Sequence, residues 1–317
     1  MTRLPSLLCL ALLLPGLAAA QGFATANHAT LSRVALLPVM TGEAMAVPGS
    51  ETRYTLDWNN ESVAHDNGRE QLLIDAEALR LALHHRRSFG EGWQVSAELP
   101  LLFTGGGVMD GPIETWHGWF GLPNGNRDQR PQNRYRVLYQ RDDVRHIDES
   151  KGESGLGDVR LGLSRALSSR WRLHSSLQLP TGSRADLTGG HAGAALWLAH
   201  RAPLGGEGFV LDLAAGASAT DRGGPLSDQQ KAVVWLGSAA LTAPLPLISR
   251  LQAVVQLNGH SAPYRDSTLA PLGSALQLAF GLRRGWEGGA VELAFLEDLK
   301  VNASPDFGLH LSLRVYR

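Results

Sequence analysis

The sequence has almost no cysteine: Cys9 is the only one in 317 residues. No disulfide can form within the chain, and no cysteine cluster can hold a metal. An excess of charge of one sign is also missing. Lys and Arg total 29 against 30 Asp and Glu, a balance that argues against a nucleic-acid partner. Beyond residue 20 no apolar run is long enough for a membrane helix. The eleven histidines never fall at the i, i+4 spacing of a helical metal site, and His84 and His85 point to opposite faces of a strand. Neither a metal site nor a cofactor is expected.

What is present starts with an export signal. Arg3 precedes the apolar run Leu7–Leu14, and Ala18, Ala19 and Ala20 form a small-residue cleavage site before Gln21. Residues 1–20 read as a signal peptide cut between Ala20 and Gln21. Residues 21–50 contain Pro38 and Pro48 and show no periodicity, so they read as an irregular arm.

From residue 51 to 317 the rhythm is of period two, the mark of β-strands. In Gly155–Thr181, Val159, Leu161 and Leu163 alternate with Arg160, Gly162 and Ser164. After a break at Ser168–Arg170, Trp171, Leu173, Leu177 and Leu179 alternate with Arg172, His174, Ser176 and Gln178. This is a hairpin with one apolar and one wet face. The same unit appears at Tyr54–Trp58, Leu79–Leu83 and Trp93–Leu99, and around Leu196, Leu213, Leu236, Val255, Leu278, Leu293 and Leu311. Alternation is poor around Leu196 and Leu236. Short connections at Arg87–Gly92, Ser168–Arg170, Arg201–Gly208, Ala243–Arg250 and Arg284–Gly289 alternate with longer ones. That is the pattern of an outer-membrane barrel, with short periplasmic turns and long outer loops. The expected fold is all-β: a single antiparallel transmembrane barrel of about twelve strands, in the outer membrane. Trp93, Trp171, Phe209 and Trp286 lie at the short turns, where an aromatic girdle belongs. Leu309, Leu311, Leu313 and Val315 resemble the terminal strand that such barrels present to their assembly machinery, although the last residue is Arg317 rather than an aromatic. Outer-membrane lipid and that machinery are the expected partners.

Several blocks carry a resemblance to a family. LDWNNE (Leu56–Glu61), AELP (Ala97–Pro100), DGPIETWHGWFGLPNGNRD (Asp110–Asp128), SGLGDVRLGL (Ser154–Leu163) and LQLPTG (Leu177–Gly182) resemble a proteobacterial family known only as a domain of unknown function. The GLGD and LPTG pieces also recur among outer-membrane barrels, including hydrocarbon-uptake relatives. The resemblance implies an outer-membrane barrel and brings no catalytic residue with it.

Candidate sites follow from facing. The wet face places Arg53, Asp57, Arg80, Glu98, Arg160, Arg172, His174, Gln178, Asp212, Arg283, Glu292 and Arg314 in the lumen as pore-lining candidates. The longest break in the rhythm, residues 104–154, reads as a long outer loop. In it Ile113, Trp116 and Phe120 share one face of a helix over Gly111–Phe120, started by Pro112 and stopped by Gly121 and Pro123. That helix either packs on the rim or acts as a constriction or plug. In the second case Asp110, Glu114, Trp116, His117, Phe120, Arg127, Asp128 and Arg130 form the constriction. Gly155–Asp158 opens a strand, with no lysine or helix to make it a phosphate cradle. His174 and Ser176 share a face in the manner of outer-membrane phospholipases, but on the lumen side. The leading expectation is a passive channel or uptake barrel for an unidentified small solute. An outer-membrane lipid-modifying enzyme and a closed structural or envelope-assembly barrel are the alternatives.

Overall fold

The computed structural model describes residues 21–38, 49–121, 127–183, 189–205, 208–246 and 248–317. The expected signal peptide, with Ala20, lies outside the described residues. Three long strands come first, β1 (Ser50–Asp66), β2 (Glu70–Phe89) and β3 (Trp93–Gly105). Helix α1 (Asp110–Phe120), the hairpin of β4 (Arg136–Arg141) and β5 (Val144–Glu149), and the short β6 (Ser154–Leu156) follow. The rest is a run of antiparallel neighbours: β7 (Arg160–Ala166), β8 (Trp171–Gln178), β9 (Gly193–Pro203), β10 (Val210–Thr220), β11 (Val234–Pro244), β12 (Leu251–His260), β13 (Ala275–Trp286), β14 (Gly289–Asp298) and β15 (Phe307–Tyr316).

The sheet closes on itself. β15 returns to β1 with Tyr316 opposite Glu51 and Phe307 opposite Asn60, and β3 pairs with β7 from Trp93–Arg165 to Glu98–Arg160. β1 to β3 and β7 to β15 therefore form a closed antiparallel barrel of twelve strands. β4 and β5 continue the wall above β3 by pairing with the outer end of β2.

The alternation follows the two solvents. Leu161, Leu163, Leu177, Leu196, Val255, Leu282 and Leu313 point outward and are exposed, Leu177 by 57%. Arg53, Asp57, Arg172, Asp212, Glu292 and Arg314 point inward and are each no more than 3% exposed. Trp171, Phe209 and Trp286, joined by Phe89, stand exposed at the short-turn end. Closing the ladder leaves no strand edge unpaired in lipid. The purified protein should therefore run as a compact, faster band on gels until boiled; identical migration before and after boiling would contradict closure.

The two poorly alternating strands have a physical cause. In β9 Leu196 faces out and Trp197 faces in; in β11 Trp235 faces out and Leu236 faces in. Both inward residues are apolar because they pack against Leu36 and Leu37, which lie inside the barrel.

Candidate functional site

The N-terminal arm fills the lumen. Its irregular reading hid this, because a segment bound side by side with a wall has no periodicity of its own. Residues 21–32 and 34–37 are all buried. The arm begins at the short-turn end, where the Gln21 side-chain oxygen accepts from Arg314 at 3.0 Å and Arg86 at 3.3 Å. The Gly22 carbonyl accepts from Arg283 at 3.2 Å, and Phe23 packs among Val254, Ala279, Ala294 and Leu296. Higher up, Thr25 donates to Asp57 at 3.2 Å, and Asn27 lies 2.9 Å from His260 and donates to the Ala303 carbonyl. Near the outer end the Thr30 amide donates to Glu61 at 2.8 Å, and the Tyr264 hydroxyl donates to the Leu31 carbonyl at 2.8 Å. A turn through Ala29–Ala35 reverses the chain. The Leu37 amide then donates to Ser218 at 3.3 Å, and Pro38 reaches a cavity beside His84 and His174. The rest of the arm, residues 39–48, lies outside the described residues.

The wall meets the arm with a lattice of ion pairs. Buried charges demand partners, since removal from water is expensive unless each charge is matched. Glu51 lies 2.8 Å from Arg86 and 3.5 Å from Arg53. Glu292 takes Arg283 at 2.6 Å and Arg314 at 3.0 Å. Asp57 takes Arg80 at 3.2 Å and His310 at 2.6 Å. Glu98 sits between Arg80 and Arg160, and Asp212 takes Arg201 at 2.9 Å. Arg172 donates to the Gly92 carbonyl at 3.2 Å. His174 stacks on Trp197 with ring centroids 4.9 Å apart. Every residue that facing had placed in the lumen is turned inward. Glu51, Arg86 and the arm itself belong to the same lattice and escaped the sequence reading. His174 and Ser176 lie on the inward face, away from lipid.

Among the described residues of the outer loop, the segment around α1 lies on the outside of the wall. The continuous registers of β1 with β2 put Asn60 and Ser62 opposite Glu77 and Asp75, on the face that carries Tyr54 and Leu83 lower down. The segment around α1 binds that outer face. The Met109 amide and Trp58 donate to Glu77, and Asp110 accepts from Asn60 at 3.2 Å and Arg127 at 2.7 Å. Arg127 also reaches Asp306 at 2.9 Å, and Arg130 donates to Ser62 at 3.0 Å. Burial pushes the Asp306 carboxyl up to about 6, with Arg127 pulling it the other way. Ile113 is buried, but Trp116 is 40% exposed, Glu114 turns to Gln132, and His117 borders neither lumen cavity described below. The side chains of Phe120 and Asp128 lie outside the described residues. The helix is thus a rim element on the outside of the wall. The apolar spacing of Ile113 and Trp116 announces a helix but not the surface it meets.

At the outer end a separate apolar core packs around the arm. Leu31 and Ala35 of the arm pack with Leu72, Ile74, Val137, Tyr139, Leu226, Tyr264 and Leu272, drawn from β2, β4 and two outer loops. Burial raises the Tyr264 phenol above its ordinary range.

Asp158 accounts for the GLGD and LPTG pieces. Its carboxylate accepts from the amides of Gly182, Gly190 and His191 at 2.8, 2.9 and 3.0 Å, and from Gln178 at 3.2 Å. A side chain at Gly182 would press on this carboxylate, and one at Gly189 would press on the Gly182 backbone. One acid therefore ties both ends of the β8–β9 connection to the start of β7. Hydrogen bonds to a charged group contribute about 1.5–3 kcal/mol each. Asp158→Ala should therefore speed hydrogen exchange at Gly182, Gly190 and His191 by roughly tenfold or more. Unchanged exchange there would remove Asp158 as the anchor.

Among the described residues, two small polar cavities of about 40 and 50 Å3 lie between arm and wall. No group of three or more His, Cys, Asp or Glu suited to a metal occurs among the described residues. The chain has solved counterparts in fold. The COG4313 outer membrane channel from Pseudomonas putida F1 is 14% identical, with a TM-score of 0.56 over 88% of this chain and 99% of that one. The translocator domain of the autotransporter NalP from Neisseria meningitidis is 9% identical, with a TM-score of 0.46 over 86% and 90%. At such identity the first of these shows a shared outer-membrane barrel fold. No curated protein matches the chain. A family model described as "Protein of unknown function (DUF3187)" matches residues 18–316, and the chain belongs to that family.

Proposed function

We propose that this protein is an outer-membrane channel whose bore is set by its own N-terminal arm. The carrying observation is the arm of residues 21–38, buried in the lumen and hydrogen-bonded to the wall at Gln21, Thr25 and Leu37. A twelve-strand barrel encloses a lumen of modest width. The arm reduces it to small polar spaces, and an apolar core packs around it at the outer end. Export brings the chain to the outer membrane, where the outward leucines meet lipid and assembly depends on the C-terminal strand. The strand ladder that closes the wall uses no residue of the arm, so the wall closes without it.

A second reading is supported by the apolar seat of Trp197 and Leu236 against Leu36 and Leu37: the arm is a permanent filling and the barrel is structural. Planar-bilayer recording of the purified chain separates the two. The channel reading expects small discrete conductance steps from the full chain and larger ones once the arm is removed. Silence in both, from correctly inserted protein, leaves the structural barrel.

A further inference from the structure

The outward face of β1 and β2 changes character partway up. On β1 it reads Tyr54, Leu56 and Trp58, then Asn60 and Ser62; on β2 it reads Leu83, Leu81 and Leu79, then Glu77 and Asp75. The change falls at one level of the ladder, between the Trp58–Leu79 pair and the Asn60–Glu77 pair. Phe103 of β3, exposed on the same face, pairs with Leu79 in the last apolar row. A lipid-facing wall turns polar where hydrocarbon gives way to headgroups. The α1 segment is fastened in the first polar row, the Met109 amide to Glu77 and Asp110 to Asn60. We propose that α1 lies along the headgroup boundary of the outer leaflet and seats Trp116 and Trp119 in its lipid, anchoring the connection from β3 to β4 outside the wall.

The helix carries two apolar stripes. Met109 and Ile113, four apart, are buried. Pro112, Trp116 and Trp119 fall at i, i+4 and i+7, a second stripe beside the first. This one is open: Trp119 is 74% exposed and Trp116 40%, with Val108 just before the helix at 63%. Large apolar side chains gathered in one exposed stripe mark a surface that meets a partner. The polar groups turn elsewhere. Glu114, on the far side of the helix from Trp116, accepts from Gln132 at 2.9 Å. The Thr115 hydroxyl donates to the Gly111 carbonyl at 2.8 Å within the helix. Position selects the partner. The helix starts in the row directly above the exposed belt of Tyr54, Leu83, Leu101 and Phe103, so the surface next to it is the leaflet that belt faces. Indole rings settle at headgroup level, with the apolar ring toward the acyl chains and the N–H toward water. A helix lying in that plane puts tryptophan on its lipid side. The anchor is independent of whether the lumen conducts.

Fluorescence quenching in vesicles tests the seat of the rings. The chain has eight tryptophans, so Trp119→Phe, Trp116→Phe, Trp235→Phe and Trp197→Phe each give one ring's emission by difference from the parent. Heat-modifiable migration checks that each variant folds. The barrel is placed in phosphatidylcholine brominated on the acyl chain near the glycerol, and iodide is the quencher in water. Either orientation in the vesicle sets the helix on a leaflet. Trp235, 67% exposed on the outward face of β11, and Trp197, buried in the lumen, set the scale. Brominated lipid should quench Trp119 several-fold more than Trp197 and to about the level of Trp235, with Trp116 moving in the same direction. Iodide should reach Trp119 several-fold less in vesicles than in the unfolded chain. A Trp119 open to iodide and untouched by bromine overturns the anchor: the stripe then faces water, free for another protein. A Trp119 shielded from both quenchers overturns it as well, because the ring is then buried in protein. No response from Trp235 would mean that the wall does not face lipid, and the anchor falls with it.

Discussion

A chain lacking residues 21–38 should insert normally, keep its heat-modifiable migration, and conduct with steps several-fold larger than those of the full chain. Insertion is expected because the twelve-strand ladder is complete without the arm, and closure of that ladder satisfies the wall's backbone in lipid. The larger step follows from volume. The arm places Phe23, Leu31, Val34, Leu36 and Leu37 in the lumen, each no more than 5% exposed. Burial of each contributes about 1.5–3 kcal/mol, and ordering the backbone opposes this by about 1–2 kcal/mol per residue. An irregular segment on such terms is a separable insert rather than part of the wall. Its removal leaves Trp197, Leu236 and the arginine lattice facing water. Trp116→Ala in the rim helix should leave conductance unchanged, since Trp116 sits outside the wall. An arm-less barrel with the conductance of the full chain would mean that something other than residues 21–38 sets the bore.

The second large effect concerns facing. Leu177 is 57% exposed on the lipid side of β8, one residue before its outer end, while Gln178 turns inward to Asp158. Leu177→Arg puts a charge into the lipid-facing band, at a cost that rises with depth to about 2–4 kcal/mol at the midplane. It should sharply lower the yield of inserted, heat-modifiable barrel. Gln178→Arg should insert at nearly the parent level, because the new guanidinium meets the Asp158 carboxylate in a polar space. Fractionation of membranes followed by gels with and without boiling reads both. The opposite ranking would invert the hairpin and bring His174 and Ser176 to the lipid side.

The wall was legible because its two faces meet different solvents. Leu161, Leu163 and Leu177 face lipid, and Arg160, Arg172 and His174 face inward; period two is the direct record of that contrast. The twelve strands, the short-turn girdle and the inward arginines all follow from it. Where the contrast fails, the reading failed with it. β2 runs from Glu70, well before the alternation at Leu79 begins, because the pattern inverts there: Leu72, Ile74 and Ala76 face inward and pack in the outer cap, while Asp75 and Glu77 face outward. The helix was placed within one residue, and of its two readings, rim or constriction, the contacts around Asp110 favour the rim. Helical spacing shows that Ile113 needs a partner, and only Asn60, Glu77 and Asp306 decide that the partner surface is the outside of the wall. The arm was read as irregular, but its place inside the barrel was not. Its trace was present in the wrong strands: Trp197 and Leu236, apolar where a wet lining belongs, are the imprint of Leu36 and Leu37. The arm's own composition carries the same message, with Arg33 as the single Asp, Glu, Lys or Arg between Gln21 and Pro38.

The position of the arm can be measured in the assembled barrel by cross-linking. The Leu37 side chain lies where a side chain on Gly193 of β9 would begin, with Cδ1 2.5 Å from that point. Cysteines at both positions replace the leucine branch by sulfur and fall within the short reach that a disulfide requires. Cys9 is the only native cysteine, and Cys9→Ser leaves the engineered pair alone. Leu37→Cys with Gly193→Cys should form an internal disulfide on mild oxidation in intact outer membranes. Oxidised channels should stay at the small conductance step through voltage or denaturant pulses that release the arm of the reduced protein. An arm outside the lumen gives the contrary result: no disulfide, and both cysteines open to a bulky membrane-impermeant maleimide.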